Sequence, residues 1–350
     1  MSEMMRGLCL NEDRQLELRE FPIPEPQRGY VRVKVKRGGI CATDLAYWKF
    51  GSDRLGELPV IIGHEGCGVV DKLGEGAEGV EVGDRVVVMT TYKVCGKCKN
   101  CAVGNTNVCI ERLGIGSKKN GCFAEYVEVP ATSCIKMPDN MSFEEGALIE
   151  VLACGIHAVR ETTTTHADEV VVVSGPGPIG TLAALAAKAN NSTVILTGIN
   201  QDKHRLEIAK TLGIDYCVNQ QEEDLKELVM KLTDGYGADV CVEAAGAYPS
   251  LNTCLDIVKK TGTISQMGVF HGPSPDYLDL GRIQEKEIRI QGTLSQKPTA
   301  WRRAVDLVAA GKINIKPLVS DVMKLEDWEE AFNKAANVTG FKVLFDPEMK

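Results

Sequence analysis

No stretch of this sequence approaches the roughly 18 consecutive apolar residues that a membrane-spanning helix needs. The N-terminal MSEMMRGLCLNEDRQ carries charges where a secretory leader needs an apolar core, so the chain is expected in the cytosol, with no membrane partner. Positive charge is in deficit too. Against 48 Asp and Glu there are 40 Lys and Arg, a net charge of -8, which leaves no basic footprint for nucleic acid. Internal repeats, low-complexity segments and long charge runs are also missing. Histidine is scarce, with five in 350 residues, so one set between glycine and glutamate is conspicuous. What remains is an ordinary globular composition, 44% hydrophobic and 25% charged, whose expected partners are small molecules. The length exceeds one typical core and predicts two domains.

Cysteine is abundant, with thirteen in all. Without a leader, these point to metal binding or reactive thiols before disulfides. Cys95, Cys98, Cys101 and Cys109 lie together in CGKCKNCAVGNTNVC, a spacing that suits a closed tetrahedral zinc site of structural type. Lys97 and Lys99 would offset part of the thiolate charge. A cysteine-rich loop that binds nothing and an iron-sulfur cluster are the competing readings, the second disfavoured by the lack of another cluster-like set. A more dispersed group combines Cys41 in GGICATDLAYW, His64 and Glu65 in IIGHEGCG, and Glu150 in ALIEVLACG. Thiolate, imidazole and carboxylate make a catalytic zinc set with one position open to water or substrate. The competing reading is a histidine satisfied within the fold.

Apolar and polar positions alternate in GLCLNEDRQLELREF and YVRVKVKRGG, and short strands continue through CGVVDKLG, DRVVVMTT and FAEYVEV. This predicts a β-rich region to about residue 150. From residue 167 strands alternate with helices. The run EVVVVSGPGPIG ends four valines in Gly175, Gly177 and Gly180, which fit G-x-G-x-x-G between a strand and a helix opening at Pro178 and Ile179. Glycines there let backbone approach a phosphate, and free N–H groups at the helix start carry positive partial charge. Further strands are expected at VILTG, CVN, DVCVEAAG, TGTISQMG and IRIQGT, with Gly213 capping the helix DKHRLEIAKTLG. The pattern is that of a doubly wound α/β domain with a parallel sheet.

GICATD, GHEGCGVV, VGDRV, the four-cysteine loop, GCFAEY, ALIE and SGPGPIG, in this order, resemble the zinc-dependent medium-chain dehydrogenase/reductase superfamily. The resemblance covers essentially the whole chain and is nearest in motif to the polyol (sorbitol-type), sugar and threonine dehydrogenases. It implies an α/β plus β fold: a GroES-like β-rich catalytic domain over 1–154 with both zinc sites, a Rossmann NAD(P)-binding domain over 155–295, and a segment 296–350 returning to the catalytic domain. It implies Cys41, His64 and Glu150 as catalytic zinc ligands, and Glu65 as a carboxylate that ligates the zinc or sits behind it. It also implies Asp44 as the holder of the zinc histidine, and Cys95, Cys98, Cys101 and Cys109 as the structural site. Cys154 is a substitute ligand or a small buried residue.

The implied activity is reversible, zinc-dependent oxidation of a secondary alcohol of a polyol, sugar or sugar acid to a ketone, with NAD(P) taking the hydride. Thr43 matches the hydroxyl relay, its alternative being a helix cap before DLAYW. A threonine-type amino-alcohol dehydrogenase and a non-catalytic cofactor-binding scaffold are the other readings, and a dimer or tetramer is the implied assembly. A zinc-free enone or quinone reductase is disfavoured, because both metal sets are present.

Two positions depart from the family pattern. Ala46 stands where relatives often carry a relay histidine, so the relay is expected to end in water or a substrate group. Gly198 stands where an aspartate usually binds the adenosine ribose, which leaves no carboxylate there to repel a 2′-phosphate. With Asn200, Lys203, His204 and Arg205 close by, the reading leans to NADP over NAD. Lys342 matches a contact to the cofactor pyrophosphate, with a surface lysine as its alternative. Tyr47, Trp48, Phe270, Trp301 and the segment KFGSDRLGE are candidate walls of a substrate pocket, and packing is the alternative for each aromatic.

Overall fold

The strand Tyr30–Gly39 alternates half-buried and buried positions along most of its length, the period-2 pattern that one-sided burial imposes. It is the centre of a seven-stranded sheet, pairing antiparallel with Glu65–Leu73, Tyr126–Pro130 and Lys342–Phe345. Val31, Val33, Val35, Val70, Val86, Val88, Val127 and Val129 share one core beneath it, β-branched side chains well suited to a pleated surface. A second core joins Leu8, Leu10, Ile61 and Ile62 to Phe123, Phe332 and Phe345. Phe123 meets Phe345 edge to face at 5.0 Å and Phe332 at 6.3 Å. The computed structural model describes residues 3–51, 55–271, 273–275, 278–337 and 340–349.

These strands belong to a compact unit made of Met1–Glu150, Lys297–Ala309 and Ile315–Lys350. The return of the chain's last segment to this unit has a simple cause. Leu344 and Phe345 pair with Gly39 and Gly38, so the strand Lys342–Phe345 supplies hydrogen bonds that the end of Tyr30–Gly39 would otherwise lack.

The second unit, Val151–Gln296 with Ala310–Asn314, is built on six parallel strands. Across the sheet these run Tyr216–Asn219, Thr193–Gly198, Val170–Ser174, Ala238–Glu243, Val258–Gln266 and Arg289–Gly292. In chain order that is 3-2-1-4-5-6, the dinucleotide-binding arrangement, with its topological switch point between Val170–Ser174 and Ala238–Glu243. The four valines are buried throughout, as a central parallel strand requires. Helices Pro178–Lys188, Lys203–Thr211, Leu225–Leu232 and Tyr248–Ile257 connect the strands. Gly213, at φ +84°, stands just past the end of Lys203–Thr211. Among the described residues no helix is long and apolar enough to cross a membrane.

The Phe123 ring fills the space between two other rings and is fully buried. Phe123→Ala should therefore cost about 3–5 kcal/mol, read as a lower urea midpoint for the transition of this unit.

Candidate functional site

Two groups of metal-type donors gather among the described residues, both within the first unit. The cysteine loop closes at its base where Thr91–Lys93 pairs with Leu113–Gly114. Cys95, Cys98, Cys101 and Cys109 bring their sulfurs within 4.8 Å of one another, with Sγ–Sγ separations of 3.9 Å for Cys95–Cys101 and 3.5 Å for Cys95–Cys109. A tetrahedron with Zn–S bonds near 2.3 Å has an edge of about 3.8 Å, so the cage fits the ion. Backbone N–H groups of Cys95, Cys98, Cys101 and Glu111 point at the sulfurs. Those of Cys101 and Ile110 pull the Cys98 thiol down to about 6.

The second group follows from strand register. Gly39 is paired with Glu65, which places Cys41, two residues past one strand end, beside His64 at the start of the other. Donor atoms of Cys41, His64 and Glu65 lie within 4.8 Å of one another. Glu150, expected as the third ligand, is buried but outside this set, near enough to act on His64 and Lys342 through charge. Asp44 is completely buried and its Oδ2 accepts from Cys41 N at 2.8 Å. The expected bond from Asp44 to the zinc histidine is present only as an approach: Oδ1 stands 3.8 Å from His64 Nδ1 and accepts no hydrogen bond. An orphaned buried carboxylate oxygen beside an imidazole is what a metal-held histidine would satisfy by a small turn of its ring.

Charge tells the same story. Burial would lower the His64 pKa, yet Cys41, Asp44 and Glu150 together push it well above the ordinary value. Burial raises the Asp44 and Glu65 carboxyls. Four acidic groups thus crowd one imidazole and the ammonium of Lys342, an excess that a divalent cation would balance.

Lys342 departs from the reading that made it a surface lysine. It is 4% exposed, and its Nζ donates to Glu65 Oε1 at 2.6 Å while also meeting Oε2. It is therefore not a surface lysine, and its ammonium is engaged by Glu65. The sequence matched its position but could not show that the last strand seats it opposite Glu65. Gly39 makes the room, since a Cβ there would fall 2.3 Å from Glu65 Oε2.

Other expectations are also corrected. Thr43 does not cap the helix Ala42–Phe50; Cys41 is its N-cap residue, and Thr43 is exposed on the first turn. Trp301 is 1% exposed and Tyr47 lies in the core, so both are packing residues. Trp48 is half-buried and edge-on to Phe332, and Phe270 packs on Tyr248 at 4.9 Å. Residues 52–54 of KFGSDRLGE lie outside the described residues. Cys154 receives a hydrogen bond from Gln296 Nε2 at 3.1 Å and is in neither donor group.

In the second unit the glycine loop fits a dinucleotide. Gly175 has φ +105°, and a Cβ on it would sit 2.8 Å from Ala245 N. A Cβ on Gly180 would sit 1.9 Å from Gly175 O. At Gly177, the N-cap of Pro178–Lys188, the nearest neighbour would be Arg205 Nη1 at 3.9 Å, which leaves the helix start open to a phosphate. Ile179 lies half-buried on that first turn.

The reading of Gly198 needs amendment. The turn Asn200–Asp202 folds back so that a Cβ at Gly198 would be 2.9 Å from Asp202 Cβ. A carboxylate therefore remains beside the strand end, with Asp202 Oδ2 accepting from Ile199 N at 3.1 Å and Oδ1 lying 4.0 Å from Arg205 Nη1. The signal was an acid four residues on, where a turn could return it. Asn200 Oδ1 accepts from Asn219 Nδ2, His204 is exposed, and Lys203 pairs with Glu222.

Lys342→Met would leave Glu65 buried without its cation, a loss of about 3–5 kcal/mol. Denaturant unfolding should show it, and adding Glu65→Gln should recover part of the stability. Strictly additive losses would mean that the two side chains act independently.

Two family models match the chain: the alcohol dehydrogenase GroES-like domain over residues 27–139 and the zinc-binding dehydrogenase over 178–310. Sorbitol dehydrogenase of Halalkalibacterium halodurans is 41% identical over 330 residues, 94% of this chain and 95% of its own. Two solved structures show the same architecture. A zinc-binding dehydrogenase of Sinorhizobium meliloti bound to NADP has a TM-score of 0.89 at 29% identity, over 99% of this chain and 100% of that one. A structure described as a short chain alcohol dehydrogenase of E. coli CFT073, complexed with NADH, has a TM-score of 0.87 at 28% identity, again over 99% and 100%. With a GroES-like unit carrying the metal-type donors and a Rossmann unit carrying the glycine loop, the chain belongs to the zinc-dependent medium-chain alcohol dehydrogenase family, an NAD(P)-linked oxidoreductase.

Proposed function

We propose that this enzyme oxidises a secondary alcohol of a polyol, sugar or sugar acid to the ketone, reversibly. The observation that carries the reading is the convergence of Cys41, His64 and Glu65 within 4.8 Å in a pocket of excess negative charge. Cys41 and His64, with Glu65 or Glu150 as carboxylate, would hold a catalytic zinc, and Cys95, Cys98, Cys101 and Cys109 a structural one. When bound, the zinc supplies Lewis acidity toward an alcohol oxygen and the nicotinamide accepts hydride.

The chain's own groups do the rest. Asp44 anchors the backbone of Cys41 and faces His64, so it holds both donors in place. Lys342 donates to Glu65 and offsets part of the burial that raises its carboxyl, which holds that side chain in place. Thr43, exposed two residues after Cys41, offers its hydroxyl to take the alcohol proton, and Ala46 leaves water as the next acceptor. Gly175, Gly177 and the start of Pro178–Lys188 receive the pyrophosphate. Arg205 is the cation that would meet a 2′-phosphate, which favours NADP. Asp202 competes for that cation, so the preference is a modest one. A cytosolic dimer or tetramer completes the proposal.

Elemental analysis should find about two zinc ions per chain. Cys41→Ser should abolish turnover while retaining the fold and one zinc, whereas full activity in that variant would overturn the assignment. For the cofactor, Arg205→Ala should raise the KM for NADPH severalfold more than that for NADH. Equal changes would remove Arg205 from the discrimination. A panel of polyols, sugar acids and amino alcohols, each tried with both cofactors, identifies the substrate.

A further inference from the structure

Glu243 ends the strand Ala238–Glu243, is completely buried, and belongs to neither donor group. Among the described residues no lysine or arginine pairs with it. Instead the chain folds around it. Ala245 N and Gly246 N each donate to Oε1 at 3.0 Å, and Ala247 N and the Ser250 hydroxyl are further hydrogen-bond partners. A carboxylate this deep persists only where donors replace its water. Here most of the donors are the backbone of one turn, 244–247, so the charge and the shape of the turn depend on each other.

That turn lies against the glycine loop. Ala245 N is the atom a Cβ on Gly175 would meet at 2.8 Å, and Ala244 Cβ would lie 3.2 Å from one on Gly180. Ala244 N donates to Ser174 O at 2.9 Å, and the Ser250 and Ser174 hydroxyls are hydrogen-bonded to each other at 2.8 Å, on the residue just before Gly175. Met267 N and Gly268 N both donate to Glu243 O at 2.9 Å, which ties the next strand end to the same residue.

We propose that Glu243 is a positioning residue for the dinucleotide loop, fixing the 244–247 turn that sets Ser174 and Gly175 and hence the direction of the N–H groups offered to a pyrophosphate. The inference rests on the glycine loop being the cofactor site, and it concerns binding rather than the identity of the alcohol.

The test is fluorescence titration of NADH and NADPH against the zinc-loaded wild-type enzyme and its Glu243→Ala, Glu243→Gln and Ser250→Ala variants. Thermal unfolding, zinc content and kcat at saturating cofactor are measured alongside. Glu243→Ala should raise the Kd of the dinucleotide about tenfold or more, the scale of a lost hydrogen bond to a buried charge. Glu243→Gln, which keeps one acceptor for the turn, should recover most of the affinity, and Ser250→Ala should fall between. Zinc content and kcat should hold. An unchanged Kd in a folded Glu243→Ala overturns the proposal, as does a loss of Kd, zinc and kcat together. If Glu243→Ala does not fold, an unchanged Kd in Ser250→Ala overturns it equally. A wild-type enzyme that binds neither dinucleotide would remove the cofactor reading, and this inference with it.

Discussion

The pairing of Gly39 with Glu65 is the constraint on which the metal site depends. Two antiparallel strands in this register bring a thiol, an imidazole and a carboxylate to one sheet end, with Cys41 two residues past one strand and His64 one residue before the other. The cost is electrostatic. Asp44, Glu65 and Glu150 are each less than a tenth exposed, and among the described residues Lys342 is the buried lysine that faces them. The last strand of the chain is therefore more than a filler of the sheet edge. It carries the counter-charge that makes the donor set tolerable, and a missing Cβ at position 39 gives that charge room.

The nucleotide side solves its electrostatics differently. Glu243 is also a buried carboxylate, but its partners are backbone N–H groups and a serine rather than a lysine. A lysine would have placed a fixed positive charge at the sheet's switch point, beside the glycine loop. Peptide donors satisfy the carboxylate locally and leave the open N–H groups of the helix start as the positive pole of that region. The two units thus stabilise buried acid by different means, one with an ammonium and the other with peptide N–H groups.

Much of this was legible in the sequence because it rests on short-range rules. Four valines before Gly175, the cysteine spacing of 95–109, and the period-2 pattern of 30–39 each report a local requirement of backbone or metal geometry. Side-chain partners brought together by distant pairing were not legible. Lys342 reads as a surface or pyrophosphate lysine until the strand Lys342–Phe345 is seen to pair beside Gly39. Trp301 reads as a pocket wall until the helix Pro298–Ala309 is seen to bury it. For Lys342 a separation of 277 residues hides the neighbour.

Gly198 shows a subtler limit, because its neighbour is only four residues away. A motif compares positions in register, so a glycine in an aspartate's place reads as the loss of a charge. The chain then turns through Asn200–Asp202 and returns a carboxylate to the same point in space. That carboxylate is held by Ile199 N and faces Arg205, whereas a strand-end aspartate would be free to bind a ribose. Under the proposed function, selectivity would be a competition for one guanidinium between an internal acid and an incoming phosphate. A doubly charged phosphate would draw a nearby cation more strongly than a single carboxylate already engaged by backbone, so the Arg205 guanidinium, more than the glycine itself, is where a preference between the two dinucleotides would arise.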